Sequence, residues 1–441
     1  MNKKLLIFLI AGAIRITVIS YVLVKCTAAP LVDSAEYVQI AENVVNGQGY
    51  SIVLDLKGHG IPETETGLHP TAWRVPGYPL LLAGLMRLGL PLYSVLFCQV
   101  AIDLFSLALL LCLPVPPRIR YVAALLYALS PQNILFSSII MAETWLTFFM
   151  LLGIYFVSRI LSGKNTAGAA VLSGMAFAAA SLFHPVCLLF PAAVFLFLLV
   201  LRYRKAAGLM LIVYVICIAP WMIRNSAVFG GPVYSTNANV FALIHRVPTL
   251  YAPFNTPANI RVRGELYGAY REELEKQGKT GGNIEVNSPI ALSLGARHAM
   301  AAVAEKPSRV LTAGAWSTAR LLFSGHADYG ILFNWPSFAY NAHKRGYAGA
   351  FKKVFANRHA WMILTLNALA AAVVCLGIVG FCLMIADKRH KALAVLMGLA
   401  VVYMLLVTFP TGQARYRTSI MPYLSVMDAF AIVFIVRKLK T

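Results

Sequence analysis

Apolar stretches of roughly 17 to 25 residues recur along this chain, and no other feature narrows its fold as much. A hydrocarbon core about 30 Å thick is crossed by roughly 20 helical residues. Only helices or closed barrels satisfy every backbone group at that depth. Cut at charges and prolines, the sequence offers ten such segments: residues 5–24, 91–113, 119–136, 139–160, 167–183, 185–201, 206–220, 360–385, 392–410 and 419–436. The expected fold is an all-α polytopic membrane protein of about ten transmembrane helices. With 59% of its 441 residues hydrophobic and 12% charged, it is neither a disordered chain nor a disulfide-rich secreted scaffold. The six cysteines inside apolar runs, such as Cys98 and Cys187, show no C-x-x-C spacing.

The formal net charge of +21 is read as topology before it is read as a partner, and no nucleic acid is expected. Lys and Arg collect in short cytoplasmic loops. Here they cluster at Lys3 and Lys4, Arg118 and Arg120, Arg159 and Lys164, Arg202 to Lys205, Lys388 to Lys391, and Arg437 to Lys440, with Asp387 the one acid among them. Both termini are therefore expected in the cytoplasm, as an even number of spans requires. Two long polar segments, residues 25–90 and 221–359, then fall outside. The chain divides into residues 1–220 with seven spans, 221–359 as a large outer loop, and 360–441 with three spans. Lys3 and Lys4 before an apolar run ending in Thr27-Ala28-Ala29 are compatible with a cleaved signal peptide, but Arg15 in mid-run argues for a retained span.

Several outer residues have chemistry to offer. Asp33 and Glu36 share a helix face just after the first span, although they also suit a capping box. Arg74, beside Trp73 and within a Pro-rich turn, offers forked donors to a phosphate, or serves as an interfacial anchor. Arg415 and Arg417 precede the last span, where anionic headgroups would also attract them. Glu143 stands at the outer end of the fourth span, and an acid at membrane depth is a functional candidate. Asp103 lies deeper and reads as a bundle-pairing residue. Arg224 follows Pro220-Trp221, which reads as the end of the seventh span. In the second outer segment, residues 265–279 read as a charged helix, Thr280–Asn283 as a loop, and 307–323 as an amphipathic helix on the membrane surface. His245, His326, His343 and His359 lack the i, i+4 spacing of a zinc helix, so no metal or other cofactor is expected.

Taken in order, Asp33-Ser-Ala-Glu36-Tyr37, Gly47-Gln-Gly49-Tyr50, Arg74-Val-Pro-Gly-Tyr78-Pro79, Pro220-Trp-Met-Ile-Arg224-Asn225 and Arg415-Tyr-Arg417-Thr-Ser-Ile-Met-Pro422 resemble bacterial glycosyltransferase family 39 of the GT-C superfamily. That superfamily includes protein O-mannosyltransferases and the lipid A aminoarabinose transferase. The resemblance implies a GT-C-type fold with two large periplasmic loops, in the bacterial inner membrane. It also implies transfer of a sugar from a polyprenyl-phosphate carrier to a lipid, glycan or protein acceptor. By the same resemblance Asp33 is the general base, and Glu36 and Glu143 are further acids of the site. The family's basic residue near the carrier phosphate corresponds to Arg74; by their place at the outer face Arg415, Arg417 and Arg224 are further candidate ligands of that phosphate, and Tyr37, Trp73 and Tyr78 are candidate pocket residues. Where the family often has adjacent Asp-Glu, this chain has Asp33-Ser34, which leaves the part of Glu36 open.

Such a transfer inverts the anomeric centre in one displacement. One carboxylate removes the acceptor's proton, and fixed cations stabilise the leaving phosphate. The absence of an Asp-x-Asp pair favours a lipid-linked donor over a nucleotide sugar. A lipid-linked-sugar flippase or transporter would need the same arginines, but internal repeats are not evident. A surface-polymer ligase or polymerase using a lipid-linked oligosaccharide is the other alternative.

Overall fold

The computed structural model describes residues 3–25, 32–55, 57, 67–163, 165–253, 256–279, 284–324 and 360–440. Lys164, Thr27 to Ala29, Thr280 to Asn283, His326, His343 and His359 lie outside the described residues. Seven described helices are long and apolar enough to cross a membrane: α1 (Lys3–Lys25), α4 (Ser94–Cys112), α7 (Glu143–Leu161), α8 (Thr166–Phe183), α10 (Arg204–Phe229), α16 (Ala360–Ala386) and α18 (Arg417–Lys438). Two shorter apolar helices, α9 (Phe190–Val200) and α17 (Lys391–Val407), account for two more of the ten expected segments.

The tenth expected segment, residues 119–136, is not continuous. It divides into α5 (Pro117–Ala128) and α6 (Pro131–Phe136). Pro131 favours an extended Ser130, whose side chain then accepts the Asn133 N–H and starts a new helix. A second correction concerns Pro220. Helix α10 runs through it to Phe229 and ends where Gly230 takes a left-handed conformation at φ 72°. Trp221, Arg224 and Asn225 are therefore side chains of a continuing helix, not the start of a loop.

Close approach of backbones holds the bundle together, because lipid supplies little hydrophobic drive between helices. A methyl group on Gly380 of α16 would overlap the Met427 carbonyl of α18. Gly380→Ala is accordingly expected to destabilise the detergent-solubilised protein by about 1–3 kcal/mol, read as a lowered unfolding temperature. An unchanged temperature would show that the two helices part freely.

One buried ion pair crosses between helices. Arg15 of α1 donates from Nε to Asp103 Oδ2 of α4 at 2.5 Å, and Tyr127 of α5 donates to Asp103 Oδ1 at 2.6 Å. The partner that the sequence left unnamed for Asp103 is thus Arg15.

At one end of the bundle the polar segments build a cap. Helix α2 (Val32–Val45) leads to a two-stranded antiparallel hairpin, β1 (Ser51–Ile52) with β2 (His69–Pro70), in the register Ser51 to Pro70. The hairpin returns the chain toward α2 and delivers Trp73 and Arg74 ahead of α3 (Gly77–Arg87). A second polar layer comprises α11 (Thr236–Phe241), a π-helical turn (Ala242–Arg246), α12 (Val247–Tyr251), α13 (Pro257–Lys276), α14 (Ser288–Glu305) and α15 (Ser308–Phe323). Its core, with Leu243, Ile244, Tyr270 and Leu294, is continuous with Ile40, Ile52 and Trp73 of the first layer. Helix α15 presents Leu311 and Phe323 outward.

Candidate active site

Three segments distant in sequence meet at the capped end. Helix α2 carries Asp33 in its first turn, and Ser34 anchors that turn by donating to the Ile140 carbonyl at 2.8 Å. The 71–74 segment is gripped from two sides. Arg224 donates to the Thr71 and Tyr50 carbonyls at 2.6 and 3.1 Å. Buried Glu285 accepts from the Thr71 hydroxyl at 2.6 Å, the Ala72 N–H at 2.8 Å and the Thr236 hydroxyl at 2.5 Å. The third segment is the short turn Ala414–Tyr416 before α18. It holds Arg415 opposite Asp33.

The resulting constellation alternates in charge. Arg74 donates to Asp33 Oδ1 from Nη2 at 2.6 Å and to Glu36 Oε2 from Nε at 2.6 Å. Arg415 donates to Asp33 Oδ2 from Nη1 at 2.5 Å, and its Nε lies 3.7 Å from Glu143 Oε1. Trp73 Nε1 donates to Glu36 Oε1 at 3.0 Å. Burial works against the charge of Arg74, but Asp33 and Glu36 more than offset it and hold its pKa above the ordinary guanidinium value. Each oxygen of Asp33 is therefore occupied by a guanidinium. Among the described residues no three His, Cys, Asp or Glu side chains are gathered as metal ligands; the carboxylates turn to arginines.

A cavity of about 190 Å³ opens beside this pairing, lined by Tyr37, Trp73, Arg74 and Arg415, with apolar walls from Leu188, Leu189 and Val407. A larger one, about 550 Å³, adjoins it across Pro185, Leu188 and Ala238, but its lining carries no charged group.

Of the residues singled out from sequence, Asp33, Glu36, Glu143, Arg74, Arg415, Tyr37 and Trp73 come together. Tyr37 lies beneath the Arg74 guanidinium, 5.2 Å from its ring centroid, and packs edge-to-face on Tyr78 at 4.9 Å. Tyr78 itself is turned away from the cavity and donates to Gln99 Oε1 at 2.6 Å. Arg417 points elsewhere, donating to Gln132 Oε1 at 2.7 Å and the Leu322 carbonyl at 3.1 Å. Arg224 is engaged on backbone carbonyls and between the Tyr50 and Trp221 rings.

Sequence reasoning missed three contributors. Arg246 ends the π-helical turn and lines the cavity; it donates to the Val407 carbonyl at 3.0 Å, and no carboxylate among the described residues faces it. His184 lines the same cavity at the α8–α9 corner. Glu285 lies behind the 71–74 segment. A π-turn is a recognised mark of functional sites, yet nothing in Leu-Ile-His-Arg-Val announces one.

No family model matches the sequence, and no curated protein matches it. Among solved structures, the apo oligosaccharyltransferase of Archaeoglobus fulgidus is 16% identical over 99% of this chain and 51% of its own, with a TM-score of 0.54. The oligosaccharyltransferase AglB of Archaeoglobus fulgidus, in complex with an inhibitory peptide and a dolichol-phosphate, gives 14%, 99%, 51% and 0.52. The chain thus spans about half the length of the oligosaccharyltransferases it resembles. At such identities the likeness speaks for the fold alone, a mostly helical membrane fold shared with those structures.

Proposed function

We propose that this chain is an inverting glycosyltransferase that moves one sugar from a polyprenyl-phosphate carrier to an acceptor hydroxyl at the outer face of a bacterial inner membrane, with both termini in the cytoplasm. One observation carries the reading: Asp33 is held between Arg74 and Arg415, and those two arginines line a small cavity whose other lining is largely apolar. The captured dolichol-phosphate of AglB supports a phosphate-linked lipid as donor.

The geometry suggests an order of events. Arg246, which no described carboxylate neutralises, is the first anchor for the carrier phosphate. As the phosphate settles, it competes with Asp33 for Arg74 and Arg415, and the released carboxylate can take the acceptor's proton. The acceptor oxygen then attacks the anomeric carbon opposite the phosphate, whose leaving charge stays on the guanidinium groups. Glu36, tied to Trp73 and Arg74, keeps Arg74 in place during the exchange. Glu143 does the same for Arg415.

An oligosaccharide donor is the second reading, favoured by the fold shared with an oligosaccharyltransferase. The cavity beside the arginines, about 190 Å³, suits a single sugar, whereas a longer glycan would have to extend into the adjoining uncharged cavity of about 550 Å³, a size usual for larger ligands. Mass spectrometry of lipids from cells lacking the protein separates the two. Accumulation of a carrier-linked monosaccharide is expected; an accumulated oligosaccharide would select the second reading, and neither would reject both. Arg246→Ala is expected to raise the KM for donor about tenfold, the worth of one hydrogen bond to a charged group, with the acceptor KM unchanged. Equal effects on both would remove Arg246 from the phosphate site.

A further inference from the structure

His184 closes the C-terminus of α8 and begins the short turn Pro185–Cys187. Its Nδ1 accepts the Val186 N–H at 3.2 Å. In a neutral ring that bond leaves the proton on Nε2. Nε2 has no hydrogen-bond partner among the described residues, and the side chain lines the cavity shared with Arg74 and Arg415. The ring packs edge-to-face with Tyr416, the centroids 5.3 Å apart. A neutral donor, fixed by its own backbone contact, thus belongs to the wall of the cavity that Arg74 and Arg415 also line.

We propose that the Nε2–H of His184 donates a hydrogen bond to an oxygen of the carrier phosphate, as an uncharged ligand beside the guanidinium groups of Arg74, Arg246 and Arg415. The groups facing the ring agree with that state. Burial, then Arg415 and Arg74, push the imidazole down to about 3, against the smaller pull of Asp33. A protonated ring would add a further cation to the arginines already present, whereas a neutral one adds a directed donor. The assignment rests on the prenyl-phosphate reading above and extends it to a residue outside the arginine set.

The test uses the full chain in detergent and farnesyl monophosphate as probe, with affinity measured by calorimetry. His184→Asn keeps an oxygen able to accept the Val186 N–H, as asparagine does at helix starts, but its side chain stops short of the cavity. His184→Gln reaches further and can place an amide N–H near the Nε2 position. The Asn variant is expected to weaken binding about tenfold, and the Gln variant to recover most of that loss. Binding by the Asn variant equal to wild type would overturn the assignment while leaving the prenyl-phosphate reading intact. Equal weakening in both variants would also overturn it, by showing that the ring serves only to shape the turn. A wild-type protein that does not bind the probe would remove both.

Discussion

Asp33→Asn is expected to lower the rate of sugar transfer by about 10²- to 10⁴-fold, the usual worth of a general base, with membrane abundance unchanged. Asn has the same shape and can still accept hydrogen bonds, but it cannot take a proton from the acceptor. The two arginines retain other contacts after the change: Arg74 keeps Glu36 at 2.6 Å, and Arg415 keeps Glu143 Oε1 at 3.7 Å. The local fold therefore survives loss of the central carboxylate. Glu36→Gln makes the informative contrast. Glu36 accepts from Trp73 Nε1 and Arg74 Nε, which assigns it to holding Arg74 and not to proton removal, so its loss is expected to slow transfer by a much smaller factor. Initial rates normalised to protein in the membrane decide the matter. Wild-type turnover in Asp33→Asn would dismiss this acid as the base, and an equal collapse in Glu36→Gln would show that arginine placement, not proton removal, limits the reaction.

What could be read from sequence followed a physical division. Apolar runs are local signals, and they located α1, α4, α16 and α18 to within a few residues. They failed at Pro131, where one proline breaks a run, and at Pro220, where a proline is absorbed within a helix. The acids and arginines of the site are scarce polar residues at predicted outer ends, which is why Asp33, Arg74, Arg415 and Glu143 could be named together. Arg415 and Arg417 could not be told apart on that basis. The chain passes from a short turn into α18 between them, so one side chain faces Asp33 and the other Gln132. Glu285 and Thr71, 214 positions apart, are joined by folding of the outer layers, and no local pattern encodes that contact. Arg246 is hidden for the same reason, since its position depends on a π-helical turn in a segment of ordinary composition.

The largest effect on stability is expected from breaking the pair Arg15–Asp103. Arg15 is fully buried and donates to Asp103 Oδ2 and to the carbonyls of Ala11 and Ala128 at 3.1 and 3.0 Å. Asp103 is 1% exposed and also accepts from Tyr127. Removing one partner strands a charge among helices, a loss of about 3–5 kcal/mol, whereas replacing both by apolar side chains removes the attraction and the cost of burying charge together. Arg15→Met and Asp103→Leu are each expected to unfold the detergent-solubilised protein well below the wild-type temperature. The double variant is expected to recover a large part of the difference, less the hydrogen bond lost by Tyr127. None of these residues lines the cavity, so transfer by the surviving double variant should stay near wild type. If the double variant fell by the sum of the two single losses, Arg15 and Asp103 would be acting separately, and α1 would have to be held against α4 and α5 by packing alone.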